Sequence, residues 1–310
     1  MCGLFGFVNY SNKEVKGLSE LTNALAEHSS IRGTDATGIS FITAGIVRIV
    51  KEAKAAENMD FKHPDNIKAL IGHTRHSTQG SEKRNYNNHP FYGRTNNARF
   101  SLAHNGVLYN DDELKKEYKL PKTKIETDSY IAVQLIESQK KVCFESIKYM
   151  AEKVQGSYSF SILDDRNNLY LVKGDSPISI LHFPELKLYV YASTDEILYK
   201  ALVDSPLFPK LKNGECEEIN ITEGEILKIK SNGVVTRDKF NYSHYYGRNW
   251  WDFGSLCSLG SGYSRSSYID DLKSIACYQG FSPDDIDTML NRGFTPDEIE
   301  EYIYCMDGEV

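Results

Sequence analysis

The chain is expected to fold as a mixed α+β protein built on antiparallel sheets, and three observations lead there. Short β-rich runs outnumber helical ones, neighbouring runs are joined by hairpin turns, and the strict strand–helix alternation of a doubly wound parallel fold is missing. "GLFGFV" gives a first strand, and "GISFITAGIVRIV" gives two more around a turn at "ITAGIV". "FSLAHNGVLY", "YSFSILDD", "NLYLVKG" and "LYVYAST" continue the strands, with another hairpin at "LDDRNNLYL". Apolar residues three and four apart predict helices in "GLSELTNALAEH", "TDSYIAVQLIES" and "CFESIKYMAEKV".

Composition changes near Asn241 and divides the chain into a main domain, 1–240, a linker, 241–265, and a small helical module, 266–310. The linker is rich in Gly, Ser and aromatic residues without a period. The module repeats "GFSPDDIDTML" as "GFTPDEIEEYI". In each copy Ser282 or Thr295 is placed to N-cap a helix, Pro283 or Pro296 suits its first turn, and the acids that follow complement the positive helix N-terminus. Partner docking is the role expected of this module.

With 310 residues, 40% of them hydrophobic, the chain has enough apolar surface for a large core. A net charge of -7 and the lack of a basic run argue against direct nucleic-acid binding. No apolar run reaches membrane-spanning length and no signal sequence is evident, so a cytoplasmic protein with no membrane partner is expected. The 6 cysteines are widely spaced and form no CxxC pair, which fits a reducing compartment and no cysteine metal site.

Cys2 directly follows the initiator methionine. Removal of Met1 would leave one residue carrying a thiol and a free α-amine, a nucleophile with its own base, since such an amine titrates near pH ~8.

Polar clusters along the chain surround this possibility. "HSSIRGTDATGIS" holds Arg32, Gly33 and Asp35, and "IGHTRHSTQG" ends a strand with Arg75, His76, Ser77 and Thr78. "NNHPF" and "LAHNGVLYN" add His89, His104, Asn105 and Gly106, and "KIETDSYIA" sets Thr127 and Asp128 at a helix start. Singly, each has a plain structural role available: Asp128 or Thr127 as a helix cap, Arg32 paired with Asp35, "HNG" as a hairpin turn. Together with Cys2 they describe amide chemistry. A thiolate attacking an amide needs oxyanion donors, which an Asn side chain and a Gly backbone N–H supply. A zwitterionic amino acid needs a cation for its carboxylate and an anion for its ammonium, which Arg75 and Asp128 supply. Glutamine has both charges and a side-chain amide.

The ordered set Cys2-Gly3, "RGTDATGI", "GHTRHST", "NNHPF", "AHNG" and "ETDS" closely resembles the class II glutamine amidotransferases, most nearly the glutaminase domains of glucosamine-6-phosphate synthase and amidophosphoribosyltransferase. "YASTDE" and "ITEGEILKI" extend the likeness to roughly Ile229. The resemblance implies a four-layer αββα N-terminal-nucleophile hydrolase fold. It implies Cys2 as nucleophile and base, Asn105 and Gly106 as the oxyanion hole, Arg75 as carboxylate clamp and Asp128 as the ammonium site. Thr78 completes the glutamine pocket in this reading, together with Gly106, while Arg32 and His89 match architectural positions. No cofactor and no metal is called for. His73, His76, His89 and His104 lack a helical HExxH or a carboxylate at ligand spacing.

Two departures accompany the likeness. His76 stands where the synthase-like pattern has an aromatic residue, which implies a different closure of the lid over the thioester. About 75 residues follow the matched region, and no sugar isomerase, phosphoribosyltransferase or adenylating domain of the kind family members usually carry fits in that space. The expectation is therefore a stand-alone glutaminase subunit that hydrolyses L-glutamine and passes ammonia to a separate synthase. The alternatives are an amide hydrolase of the same fold acting on another γ-glutamyl compound, and a non-catalytic glutamine-binding regulator.

Overall fold

The computed structural model describes residues 2–211 and 214–242, together with 282–292 and Ile269, Lys273, Ala276, Phe294, Thr295 and Ile299. Two sheets form the centre. The first has seven strands in the order β11-β9-β10-β1-β4-β2-β3, namely Glu217–Glu218, Ser179–Phe183, Leu188–Ala192, Gly3–Asn9, Ala69–Arg75, Ala36–Thr43 and Ile46–Glu52. The second has six in the order β13-β12-β8-β7-β6-β5, namely Val235–Lys239, Glu225–Ile229, Leu169–Lys173, Gly156–Asp164, Arg99–Leu108 and Phe91–Arg94. Every strand pairing among the described residues is antiparallel.

Strand alternation explains the layers. Side chains on β1 point to opposite faces in turn. Phe5 and Phe7 pack with Leu18, Leu21 and Leu25 of α1 (Leu18–Ser29) and with Leu198 and Leu202 of α5 (Asp195–Asp204). Leu4 and Val8 enter the layer between the sheets, where Ile71, Ala103, Leu163, Leu171 and Leu227 meet them. On the far side Phe100 and Leu102 of β6 pack with Ile131 and Leu135 of α3 (Tyr130–Ser138) and with Ile147 and Met150 of α4 (Phe144–Lys153). The result is helix, sheet, sheet, helix. Because β1 is buried on both faces, its sequence reads as an unbroken apolar run rather than an alternating one.

The β2–β3 hairpin turns at Ala44 and Gly45, both at positive φ (50° and 71°), and pairs Thr43 with Ile46. That is the two-residue loop whose twist matches paired strands. At the β7–β8 hairpin Asp164 Oδ1 accepts from the N–H of Arg166 and Asn168, closing the turn at "DDRNN". "HNG" is not a hairpin turn: His104, Asn105 and Gly106 lie inside β6 and face Phe160, Ser159 and Tyr158 of β7.

Helices α2 (Asp111–Glu117), α6 (Phe208–Leu211) and α7 (Pro283–Asn291), with short 3-10 turns at Ser30–Arg32, Ala56–Asn58 and Asn85–Asn87, are further described elements. Ser282 caps α7 in a reciprocal box with Asp285, as the repeat predicts. Most of the linker and of the second repeat copy lies outside the described residues.

Candidate active site

Pairing of Gly3 with Thr74 brings the chain start beside the end of β4. A side chain at Gly3 would lie 2.5 Å from Thr74 Oγ1, so glycine permits this approach. Cys2 thereby reaches the loop after Arg75. The N–H of His76 donates to Cys2 Sγ at 3.4 Å, and the thiol donates to the His76 carbonyl at 3.5 Å. Arg32 Nε holds the Cys2 carbonyl at 2.9 Å. The same loop is braced from behind. A Cβ on Gly33 would overlap the backbone of Arg75 and His76, while Asp35 donates its N–H to the Arg75 carbonyl and accepts from Ser77 N–H at 2.6 Å.

Arg75 is 3% exposed. Its Nη1 donates to Asn88 Oδ1 at 2.7 Å, and its Nη2 donates to the carbonyls of Gln79 and Gly80 at 2.6 and 2.7 Å. These bonds take three of the five guanidinium donors and shape the loop. Asp128 is also buried. Its Oδ2 accepts from Leu108 N–H at 2.6 Å and its Oδ1 from Ser129 Oγ at 3.2 Å. It is not a helix cap: α3 begins after Ser129, with no side-chain capping bond. Burial pushes the Cys2 thiol up; the His76 N–H bond and the Arg75 charge pull it back, and Asp128 adds to the rise. The candidate nucleophile, cation and anion therefore share one electrostatic neighbourhood.

Asn105 is fully buried, and neither its Oδ1 nor its Nδ2 has a hydrogen-bond partner among the described residues. A buried amide left unpaired is costly, and such a group is open to a hydrogen bond with a ligand or a water. Gly106, next along β6, has φ 131°, and a Cβ there would overlap the Ser157 carbonyl, so the position admits only glycine. Thr78 is exposed on the loop beyond Arg75. Thr127, to which the sequence assigns no role in the pocket, is 3% exposed, and its Oγ1 has no partner among the described residues.

Behind the site stand three buried histidines. His89 stacks on His73 with ring centroids 4.1 Å apart, and His73 Nε2 bonds the His104 carbonyl at 2.9 Å. His104 Nδ1 reaches Ser129 Oγ at 2.8 Å, linking the trio to the residue beside Asp128. Burial is the main cause holding all three down: His73 to about 3, His89 well below the ordinary value, and His104 lower than usual. Their stability effect follows from the sign. The unfolded chain binds protons below pH ~6.5 that the folded chain refuses, so stability present above that pH is lost on acidification, at up to about 1.4 kcal/mol per pH unit per histidine. Urea midpoints should fall steeply between about pH 7 and pH 5; a flat profile would show that the trio is charged or solvated. Among the described residues no group of three or more His, Cys, Asp or Glu is arranged to hold a metal ion.

A family model described as a glutamine amidotransferase domain matches residues 73–200, which include Arg75, Asn105, Gly106 and Asp128. Glutamine–fructose-6-phosphate aminotransferase (isomerizing) from Staphylococcus aureus is 32% identical over 258 residues, covering 77% of this chain and 39% of its own length. The protein of the same description from Staphylococcus epidermidis is 32% identical over 197 residues, 58% of this chain and 30% of its own. The chain thus spans less than half the length of these relatives. The solved glutamine phosphoribosylpyrophosphate amidotransferase of B. subtilis, with ADP and GMP, is 21% identical, covers 78% of this chain and 50% of its own, and superimposes with a TM-score of 0.59. That likeness carries the fold, and the sequence matches carry the domain. The chain contains a glutamine amidotransferase domain of class II.

Proposed function

We propose that this domain hydrolyses L-glutamine to glutamate and ammonia through a thioester on Cys2. The observation that carries the reading is the match of residues 73–200 to a glutamine amidotransferase domain, within which Arg75 and Asp128 are a buried guanidinium and a buried carboxylate. With Met1 removed, the Cys2 α-amine takes the thiol proton and the sulfur attacks the side-chain carbonyl carbon of glutamine. The Asn105 amide and the Gly106 N–H receive the oxyanion. Collapse of the tetrahedral intermediate breaks the C–N bond, and the α-ammonium returns its proton to the leaving ammonia. Water, deprotonated by the same amine, then cleaves the thioester to glutamate and regenerates the thiol. Arg75 binds the substrate carboxylate and Asp128 its ammonium, with Thr78 at the pocket rim. Arg32 and His76 hold the nucleophile through its carbonyl and sulfur, and His89 backs the site.

Free ammonia in neutral water is mostly protonated and poorly nucleophilic. We infer that it passes to a separate acceptor enzyme, docked through residues 266–310. The free thiols Cys2, Cys143 and Cys216 fit a reducing, cytoplasmic setting, and no described helix is long and apolar enough to cross a membrane.

The test is release of glutamate and ammonia in equal amounts from glutamine by the purified chain. Arg75→Gln and Asp128→Asn should each lower kcat/KM by about 100-fold, as expected when one partner of a buried charge pair is lost. Wild-type rates in either variant would remove the proposed clamp.

A further inference from the structure

The two charges of the proposed clamp sit on different loops. Arg75 ends β4 and lies over the loop 76–82; Asp128 lies at the end of the segment 121–128. Asn87 and Glu126 link these loops. Glu126 donates its backbone N–H to Asn87 Oδ1 at 2.9 Å, and its Oε2 accepts from Asn87 Nδ2 at 2.9 Å. The amide is thus gripped on both edges by a single residue 39 positions away. Asn87 Nδ2 also donates to the Ser81 carbonyl at 3.1 Å. Gly80 rests on the same pair: a Cβ there would lie 3.1 Å from Asn87 Nδ2 and 3.2 Å from Glu126 Cβ. Gly80 supplies one of the two backbone carbonyls that accept from Arg75, and Asn88, adjacent to Asn87, supplies the side-chain acceptor for that guanidinium. Arg84 adds an ion pair to Glu126 Oε1 from the solvent side. Asn87 is fully buried, whereas the Glu126 side chain is 42% exposed.

We propose that Asn87 and Glu126 are positioning residues that set the separation of Arg75 and Asp128, and so match the pocket to the zwitterionic head of an α-amino acid. The inference rests on the glutaminase reading above. Neither residue touches the reacting atoms. Their work is to couple two loops whose relative placement fixes substrate affinity, so the effect falls on KM rather than kcat.

The pair has a chemistry that allows a rescue. In Asn87→Asp a carboxylate faces the Glu126 carboxylate and the bond becomes a repulsion. In Glu126→Gln the side-chain oxygen still accepts from Asn87. When the two substitutions are combined, the side-chain amide introduced at position 126 is available to donate to the carboxylate introduced at position 87, so that bond is restored with its direction reversed, while the bond to the Ser81 carbonyl stays lost. Steady-state glutamine hydrolysis and thermal melting should be measured for wild type, N87D, E126Q and the double variant. We expect KM for glutamine to rise at least about 10-fold in N87D, to stay within about 3-fold in E126Q, and to fall at least about 3-fold below the N87D value in the double variant, with kcat little changed throughout. Failure of the double variant to recover, or an unchanged KM in N87D, overturns the proposal. Should N87D not fold, Glu126→Ala at the half-exposed position decides: a raised KM at unchanged Tm supports positioning, and an unchanged KM contradicts it. A wild-type chain that neither hydrolyses nor binds glutamine overturns the glutaminase reading, and this inference with it. An active wild type with insensitive variants overturns the inference alone.

Discussion

Cys2→Ala should reduce glutamine hydrolysis by more than about 1,000-fold while leaving the fold intact, because the substitution removes the thiol proposed to form the thioester. Cys2 is only partly buried, and among the described residues its sulfur bonds nothing beyond the backbone of His76, so little packing is lost. Cys2→Ser should be nearly as impaired. An alcohol keeps the geometry and the α-amine but lacks thiolate character. Circular dichroism and melting should match wild type in both variants. Ammonia release from Cys2→Ala at the wild-type rate would place the chemistry elsewhere.

Asn105→Ala should show the second large effect, a loss of about 100- to 1,000-fold in kcat, the range found for removing one oxyanion donor. Its distinguishing feature is stability. The Asn105 amide is buried without a partner among the described residues. Truncation deletes an unsatisfied group as well as opening a small void, and the two effects oppose each other, so the melting free energy should move by less than about 1 kcal/mol. A structural asparagine would behave the other way, with stability falling and kcat following only as protein unfolds. Parallel measurement of kcat and denaturant midpoint separates the two.

Local signals made much of this fold legible. Ala44-Gly45 announced the β2–β3 turn, apolar spacing announced α1, α3 and α4, and Ser282 with Pro283 announced the start of α7. The helix α5 was missed although its cap is local: Thr194 Oγ1 accepts from Ile197 N–H at 3.3 Å, with Asp195 and Glu196 in the first turn. "YASTDE" drew attention to the strand before it and hid the capping signal inside it. "HNG" invited a turn because glycine after asparagine so often makes one. Here the glycine serves a close crossing of β6 over Ser157, a constraint set by the neighbouring strand β7, far along the chain, that no local pattern carries.

The site divides along the same line. Residue types in order singled out Cys2, Arg75, Asn105 and Asp128 as candidates for the chemistry. Their partners were not legible. Asp128 reads as a helix cap until topology sets its carboxylate against Leu108 N–H, and Arg75 reads as a free clamp until the fold supplies Asn88, Gln79 and Gly80. Hydrogen-bond partners far apart in sequence are decided by sheet order and loop packing, and composition or periodicity says nothing of them.

The central claim is that a free N-terminal Cys2 performs the reaction, and intact-mass spectrometry of the active protein tests it most directly. The active preparation should have the mass of the chain without Met1. Treatment with an electrophilic glutamine analogue should add one adduct, localised to Cys2, in step with loss of activity. Full activity in protein that retains Met1, or inactivation with the adduct on another residue, would contradict the mechanism.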